Sequence, residues 1–545
     1  MKSYTAILSI LFFSLNAQGF DYLGLSTDDA EKLETLEAKF DGFIDREAMH
    51  IWMKEMSSRP HHIGSEWNRH NRNYIAKLLE SWGYEVSLDE FLVLFPSPKS
   101  IELQLVSPSQ YTALLTEVPV EGDQSTFDTS ELIPPYNAFS IDGEIEGELV
   151  FVNYGTPEDY ELLERYGISV KGKVVIAKYG RTWRGIKPKL AAEKGAIGAI
   201  IYSDPKDYGY TVGDVYPKGA WLNETGVQRG SVMDMPLYPG DVLTPGIGAT
   251  KGAERLDISD VETLTKIPVM PISYSDAMPL LKSIDNDVAP KEWQGSLPIT
   301  YHLGPGPAKV RMKLEFNWDM VPIYNVIAKM EGSTYPDEWV MRGNHFDAWN
   351  FGAADPISGL VSMLAEAKAI GDLVNNGYKP SRTIVYAAWD AEEEGLIGST
   401  EWVEQNAKLL KNNLVSYVNT DGGSKGFLNI GGSHTLENFF NRIMKDVNDP
   451  NLKVSLFDRK AANLLVNGSD SEKTGLKRGD DLRINALGSG SDYSPFLQHL
   501  GIASAHLNFS GEGDGGSYHT LYDTYNHYTL WRDPGLIYRE VLARV

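Results

Sequence analysis

Residues 383–395 read TIVYAAWDAEEEG. The first seven are β-branched, aromatic or small and apolar, as in a short strand buried on both faces. Four acids follow within five residues: Asp390, Glu392, Glu393 and Glu394. Alone, such a run reads as a solvated helix start, where acids complement the helix dipole. At the end of a core strand the charge calls for a partner, and a divalent cation can hold several carboxylates together and keep them ionised.

The neighbouring sequence repeats the pattern. DEWVMRGN, 337–344, runs into His345 and Asp347, and LVSYVNT, 414–420, runs into Asp421. VPIYNVIAKMEG, 321–332, is also strand-like. Between them Ile357, Leu360, Val361 and Leu364 stand at i, i+3, i+4 and i+7, which predicts an amphipathic helix, with Asp355 in the loop before it. Strands alternating with helices imply an α/β sheet covered by helices on both faces. Sites in such sheets form beyond the carboxyl ends of the strands, where all these acids and His345 fall. An HxD pair, an acidic run or a single turn aspartate is weak by itself; their common position is the stronger signal.

The chain has 545 residues, enough for about three domains of roughly 150 residues each. Its net charge of −24 argues against nucleic acid or an anionic membrane as main partner. It contains no cysteine, so thiolate chemistry and disulfides are excluded and any zinc must be held by His, Asp or Glu. Lys2, the apolar run Ala6–Leu15, and Ala17 with Gly19 read as a cleaved secretory signal, residues 1–19, implying a secreted or periplasmic protein. No later stretch reaches the roughly 18 apolar residues of a membrane helix.

Residues 29–60 are helical in pattern up to a break at Pro60, and a helix and then a strand follow. Composition shifts to Pro, Gly, Tyr and short strands over about 106–310, where GKVVIAKYG and KPKLAAEKGAIGAIIYSDP read as strand, helix, strand. This predicts an inserted domain at 106–310 within a domain made of 20–105 and 311–545.

NHFDAWNFGAADPISG, AAWDAEEEGLIGSTEW, YVNTD and SYHTLYDTY resemble the motifs of di-zinc exopeptidases, most closely the glutamate carboxypeptidase II group of the transferrin receptor superfamily. RPHHIGSEWN, GVQRGS, LTPG and LGSGSDYSPFLQHLGIAS match that group in order, so the resemblance covers nearly the whole chain after residue 19. It implies a mixed central sheet flanked by helices, with an inserted β-rich apical (protease-associated) domain. It also implies a zinc metallopeptidase acting on small peptides near a free C-terminus. His345 and Asp421 would hold one zinc, Glu393 and His519 the other, and Asp355 would bridge them. Glu392 would be the general base and Asp347 would orient His345. Arg184 would grip the substrate α-carboxylate beside Tyr518. Glu401 and Glu404, with main-chain oxygens around Thr244 and Ile247, would hold a structural calcium.

The chemistry agrees with this set: two nearby zinc ions need a shared ligand to screen their repulsion, and an unligated carboxylate to carry the water's proton. Asp355 precedes Pro356, where a cis bond would re-aim its carboxylate. His61, His62 and His499 carry no such case; the first two read as packing or surface, and His499 as a helix residue.

The chain departs from the group at three points. His506 and Asn508 stand where arginines read an acidic residue on the amino side of the scissile bond, and Ser231 replaces an asparagine that binds the terminal glutamate. The sequence ends at Val545, where the group continues into a helical dimerisation domain, so glutamate specificity and a homodimer do not follow. An aminopeptidase of the same family shares the metal ligands and stays open as an alternative. A non-catalytic receptor relative would be expected to lose ligands or base, and all six positions are present.

Overall fold

The computed structural model describes residues 25–545 apart from Thr129, so the expected signal segment lies outside the described residues. The helix Thr27–Phe43 forms one compact unit and Ile44–Val545 a second. The helical stretch expected to run to Pro60 divides earlier. Asp45 accepts the Ala48 N–H and starts a new helix, Arg46–Met56. No helix among the described residues is long and apolar enough to cross a membrane.

The strands of the second unit, in chain order, are β1 (Glu85–Ser107), β2 (Tyr111–Thr112), β3 (Gly143–Phe151), β4 (Val174–Lys178), β5 (Gly198–Tyr202), β6 (Val269–Ile272), β7 (Lys309–Met330), β8 (Tyr335–His345), β9 (Arg382–Trp389), β10 (Leu414–Asn419), β11 (Gly426–Gly432) and β12 (Ser504–Gly511). They order as β11-β12-β10-β8-β9-β7-β3-β4-β5-β6, with β1 on β7 and β2 on β1. β12, β10, β8 and β9 are mutually parallel, and β11 and β7 flank them antiparallel. Parallel strands are stable when covered on both faces, which explains the apolar run in β9. β3 to β6 form a second parallel group, joined to the first because β3 pairs β7 with its first half and β4 with its second. The long β1–β7 ribbon runs from Glu85↔Lys329 to Ser107↔Lys309 and connects the two groups.

The helix Ile357–Asn375 packs against the sheet more deeply than the four-residue stripe predicted. Ser358, Gly359, Ser362, Met363, Ala365 and Ala367 are buried as well, so it is a core helix rather than an amphipathic surface one. Gly359 explains its approach to the strand ends: a Cβ there would lie 2.0 Å from the Asp421 carbonyl oxygen and 2.3 Å from Asn344 Oδ1. On the other side of β9, Trp389 donates to the Tyr417 hydroxyl at 2.9 Å, and Tyr417 stacks on Phe496 with centroids 3.8 Å apart.

Candidate metal centre

β8, β9 and β10 are parallel neighbours, so their carboxyl ends lie side by side. His345 closes β8, the acidic run follows β9, and Asp421 follows β10. The loop before the buried helix brings Asp355, through a cis Asp355–Pro356 bond, and the segment after β12 brings His519. Two triads result, His345–Asp355–Asp421 and Asp355–Glu393–His519; within each, the ligand atoms lie within 4.8 Å of one another. Asp355 belongs to both.

His345 Nε2 is 3.0 Å from Asp421 Oδ1, 3.4 Å from Asp355 Oδ1 and 3.8 Å from Glu392 Oε2. His519 Nε2 is 3.0 Å from Glu393 Oε2 and 3.3 Å from Asp355 Oδ2. The opposite nitrogen of each ring faces a main-chain carbonyl: His345 Nδ1 the oxygen of Asp347 at 3.1 Å, and His519 Nδ1 that of Arg229 at 3.3 Å. A carbonyl only accepts, so Nδ1 carries the hydrogen in both rings. Each Nε2 lone pair then points at carboxylate oxygens, an arrangement that needs a proton or a cation between them. Asp355 Oδ1 and Glu393 Oε1 are buried without a hydrogen-bond partner. This donor set, nitrogen and carboxylate oxygen with no sulfur, fits zinc.

The electrostatics agree. Burial pushes the Glu393 carboxyl well above its ordinary range, with Asp355 adding repulsion. Burial likewise raises Glu392 against the pull of His345, while Asp421, Asp492 and Glu393 push it further. Burial lowers the His345 imidazole, but Asp421 and Glu392 beside it outweigh that and hold it well above the usual histidine value. Burial would raise Asp355, and its contacts with His345 and His519 more than reverse this. Without a cation, clustered carboxyls resist ionisation; a divalent ion reverses that balance.

The four acids after β9 separate by direction. Ala391 takes φ +56° and turns the chain. Asp390, expected among the possible ligands, points away: it accepts from Asn68 Nδ2 and from the N–H of Tyr324 and of Ala391, each at 3.0 Å. Glu393 joins the second triad, Glu392 stands beside His345 outside both triads, and Glu394 is buried behind them. Asp347 accepts the Glu392 N–H at 3.0 Å and the Glu393 N–H at 3.2 Å, and lies 3.4 Å from His345 Nδ1. It thus fixes three of the candidate residues.

Two further carboxylate supports were not read from the sequence. Asp523 accepts the N–H of Ala354 at 2.9 Å and of Asp355 at 3.0 Å. Ser491 donates to Asp421 Oδ2 at 2.6 Å and accepts from Asn419 Nδ2 at 2.8 Å. The SGSD and LYDTY runs hold these residues, but Asp523 acts on main-chain N–H groups and Ser491 on side chains about 70 residues away, so neither leaves a spacing signal.

Arg184 is buried, and its Nη2 donates to the Tyr518 hydroxyl at 3.2 Å. A Cβ on Gly230, at φ +144°, would lie 2.5 Å from the Arg184 guanidinium carbon, so glycine makes room for it. Arg184 lines a cavity of about 310 Å³ with Trp183, Tyr179, Tyr208 and Tyr518. Tyr518 stacks on His519 and also borders a second cavity of about 300 Å³ with Asp355, Asp421, His506 and Asn508. Ser231 lies apart from both linings, and its hydroxyl accepts the Met233 N–H.

The expected calcium residues meet in one place. Glu401 accepts from the N–H of Asp241 at 2.7 Å, the N–H of Ala249 at 2.6 Å and the Thr244 hydroxyl at 3.3 Å. Glu404 accepts from the Tyr238 hydroxyl and from Gly246 N–H, and its Oε2 is buried without a partner. Ile247 donates its N–H to the Thr244 carbonyl at 3.2 Å. His61 and His62 are packing residues, tied to main-chain carbonyls. His499 ends a π-helical turn, 3.3 Å from Glu404.

The family model of peptidase family M28 matches residues 325–543, and that of the PA domain matches residues 145–235. The chain is 33% identical over 488 residues to "Probable glutamate carboxypeptidase VP8" of Zea mays, covering 88% of this chain and 63% of that one. It is 32% identical over 540 residues to "Aminopeptidase NAALADL1" of Rattus norvegicus, covering 92% and 70%. It is 36% identical over 522 residues to "Probable glutamate carboxypeptidase" of Arthroderma benhamiae, covering 92% and 69%. The chain thus spans under two thirds of the maize protein and slightly more of the other two. Among solved structures, a peptidase M28 precursor from Shewanella amazonensis SB2B aligns over 95% of each chain with a TM-score of 0.53 at 20% identity. An aminopeptidase from Aneurinibacillus sp. strain AM-1 aligns over 93% of this chain and 94% of that one, at 0.51 and 18%. These likenesses show a shared fold: a mixed sheet flanked by helices, with the PA region inserted. The matched family model and relatives at 32% and 36% identity, covered to 70% and 69% of their length, show that the chain belongs to peptidase family M28.

Proposed function

We propose that the protein is a two-zinc exopeptidase that removes the C-terminal residue from small peptides. The observation that carries this is the pair of triads sharing Asp355, with Glu392 beside them and in neither. His345 and Asp421 would hold one ion, Glu393 and His519 the other, and Asp355 both. When bound, the ions supply Lewis acidity that acidifies a water and polarises the scissile carbonyl. Glu392 takes the proton of the attacking water on its carboxylate and returns it to the leaving amine. Asp347 keeps Glu392 aimed by holding its main-chain N–H. Arg184 offers a planar pair of donors to the substrate's free carboxylate, and the Tyr518 hydroxyl holds that guanidinium in place.

Two relatives named glutamate carboxypeptidase and the buried Arg184 support this direction. A second reading, aminopeptidase, is supported by the rat relative of similar identity. N-blocked and C-blocked dipeptides separate the two. Cleavage of N-blocked substrates alone supports the carboxypeptidase, and cleavage of C-blocked substrates alone the aminopeptidase.

We further propose a structural calcium at Glu401, Glu404 and the Thr244–Ile247 turn, supported by the unpartnered Glu404 Oε2 and by hard oxygen donors. The proposed domain division is 20–105 with 311–545 for the peptidase and 106–310 for the insert. Export is proposed from the pattern of residues 1–19.

A further inference from the structure

We propose that Glu117 and Arg229, both in the 106–310 segment, are positioning residues for His519, so that this segment governs occupancy of the second metal position only. The inference rests on the two-ion reading above and names residues that no metal ligand set includes.

His519 stands at φ +59°, in the left-handed region that a residue with a side chain rarely adopts without outside support. That support comes from one residue. The Arg229 N–H donates to the His519 carbonyl at 3.2 Å, and His519 Nδ1 donates to the Arg229 carbonyl at 3.3 Å. The second bond sets the ring's orientation and leaves Nε2 free for the Glu393–Asp355 side. Arg229 Nη1 also reaches the His519 carbonyl at 3.5 Å.

Arg229 is itself fixed by a buried ion pair. Its Nη1 donates to Glu117 Oε2 at 2.7 Å, with both side chains only 2% exposed. The Glu117 carboxylate also accepts the Val227 N–H at 2.9 Å and the Leu521 N–H at 3.1 Å. Val227 lies two residues before Arg229, and Leu521 two residues after His519. One carboxylate therefore clamps the two segments on either side of their mutual contact. Nε and Nη2 of Arg229 complete the anchor on the Ile133 carbonyl, at 3.3 and 3.0 Å. The first triad has different supports: His345 leans on Asp347, and Asp421 on Ser491.

Residues that orient a metal-bound histidine through its second nitrogen typically alter metal affinity about 10–100-fold when replaced. Here that loss should fall on one ion of two. Every group facing Glu117 is a donor, so in Glu117→Gln the amide nitrogen must confront an N–H or the guanidinium. The test is zinc titration of the full chain followed by native mass spectrometry, for wild type, Glu117→Gln and Arg229→Met, with circular dichroism to confirm folding. Wild type should load two ions. The variants should load the first at the wild-type zinc concentration and require about 10-fold or more free zinc for the second, with kcat restored as it loads. Folded variants that load both ions like wild type overturn the proposal. So does equal weakening of both ions, which would make the pair a general brace. If Arg229→Met fails to fold, Glu117→Gln decides by the same criterion. A wild-type protein that takes fewer than two ions defeats the two-ion reading itself, and this inference with it, in an arm separate from the variants.

Discussion

The carboxylate of Asp523 accepts the main-chain N–H of Asp355 at 3.0 Å, with its other oxygen on Ala354 N–H. It thereby steadies the one residue common to both triads. Asp523→Asn keeps size but replaces one acceptor oxygen with a donor nitrogen that faces an N–H. Both ions should weaken together, by about 10–100-fold, unlike the one-ion loss expected for Glu117→Gln. Zinc titration by native mass spectrometry checks this, and selective loss of one ion would count against a shared role for Asp355.

Glu392 lies in neither triad but only 3.8 Å from His345 Nε2. Glu392→Gln should keep both ions and lose about 10²–10⁴-fold in kcat, since glutamine cannot take a proton at neutral pH. Steady-state kinetics with metal analysis on the same sample test this. A variant retaining more than about a third of wild-type kcat would remove Glu392 from the base role.

Arg184→Ala should raise KM for free-acid peptides by about 10-fold or more, the loss of a charged hydrogen bond. Amidated peptides, already poor substrates, should change little. Arg184→Lys should not restore the wild-type KM, because an ammonium cannot reproduce two parallel donors. His506 and Asn508 bring no permanent positive charge to the second cavity, and Arg532 is the one arginine in its lining, so any preference for an acidic residue on that side should rest on Arg532 alone.

Metal removal should make stability depend on pH. Burial pushes the Asp390, Asp492 and Asp523 carboxyls up to about 7, and Glu392, Glu393 and Glu394 well above the ordinary range. In the folded metal-free protein these groups hold protons that the unfolded chain has released by about pH 5. Their contribution is complete below the unfolded values and is lost as pH rises through and beyond 7. Buried His61 and His527, pushed down to about 4 and about 3, act in the opposite sense only below the ordinary histidine value of about 6.5. Buried Lys178 and Lys187, pushed down to about 8 and about 7, oppose the loss above about pH 7. They are two groups against the three raised glutamates and His345, which is also held above its ordinary value. The Tm of the metal-free protein should therefore fall between about pH 6.5 and about pH 8.5. Zinc should flatten that slope by keeping the ligand carboxylates ionised. A metal-free Tm that rises over this interval would contradict the burial of these acids.

The central strand was legible because a parallel strand buried on both faces must be apolar, and TIVYAAW is. LVSYVNT was also read as a strand, though its Val415 is exposed and it is only partly buried. Topology then explains why His345, Glu393 and Asp421, each at a strand end, come together. The resemblance separated Glu392 from Glu393, but the departure of Asp390 was not legible: Ala391 turns the chain between Asp390 and Glu393. Asp523, Ser491, Glu117 and Arg229 escaped a reading by spacing because they act through main-chain groups or on residues far away in sequence. Glu117 and Leu521 are 404 residues apart. The deeper burial of the Ile357–Asn375 helix was also hidden, since its serines and glycine count as polar or neutral in a periodicity but pack tightly against Asp421 and Arg539.

The central claim is a shared-carboxylate site for two ions. Native mass spectrometry of the zinc-repleted full chain tests it most directly. The account predicts about two zinc per chain, as two-metal catalysis requires, falling to none with chelator and returning with zinc. Fewer than one zinc per folded chain after repletion would contradict it.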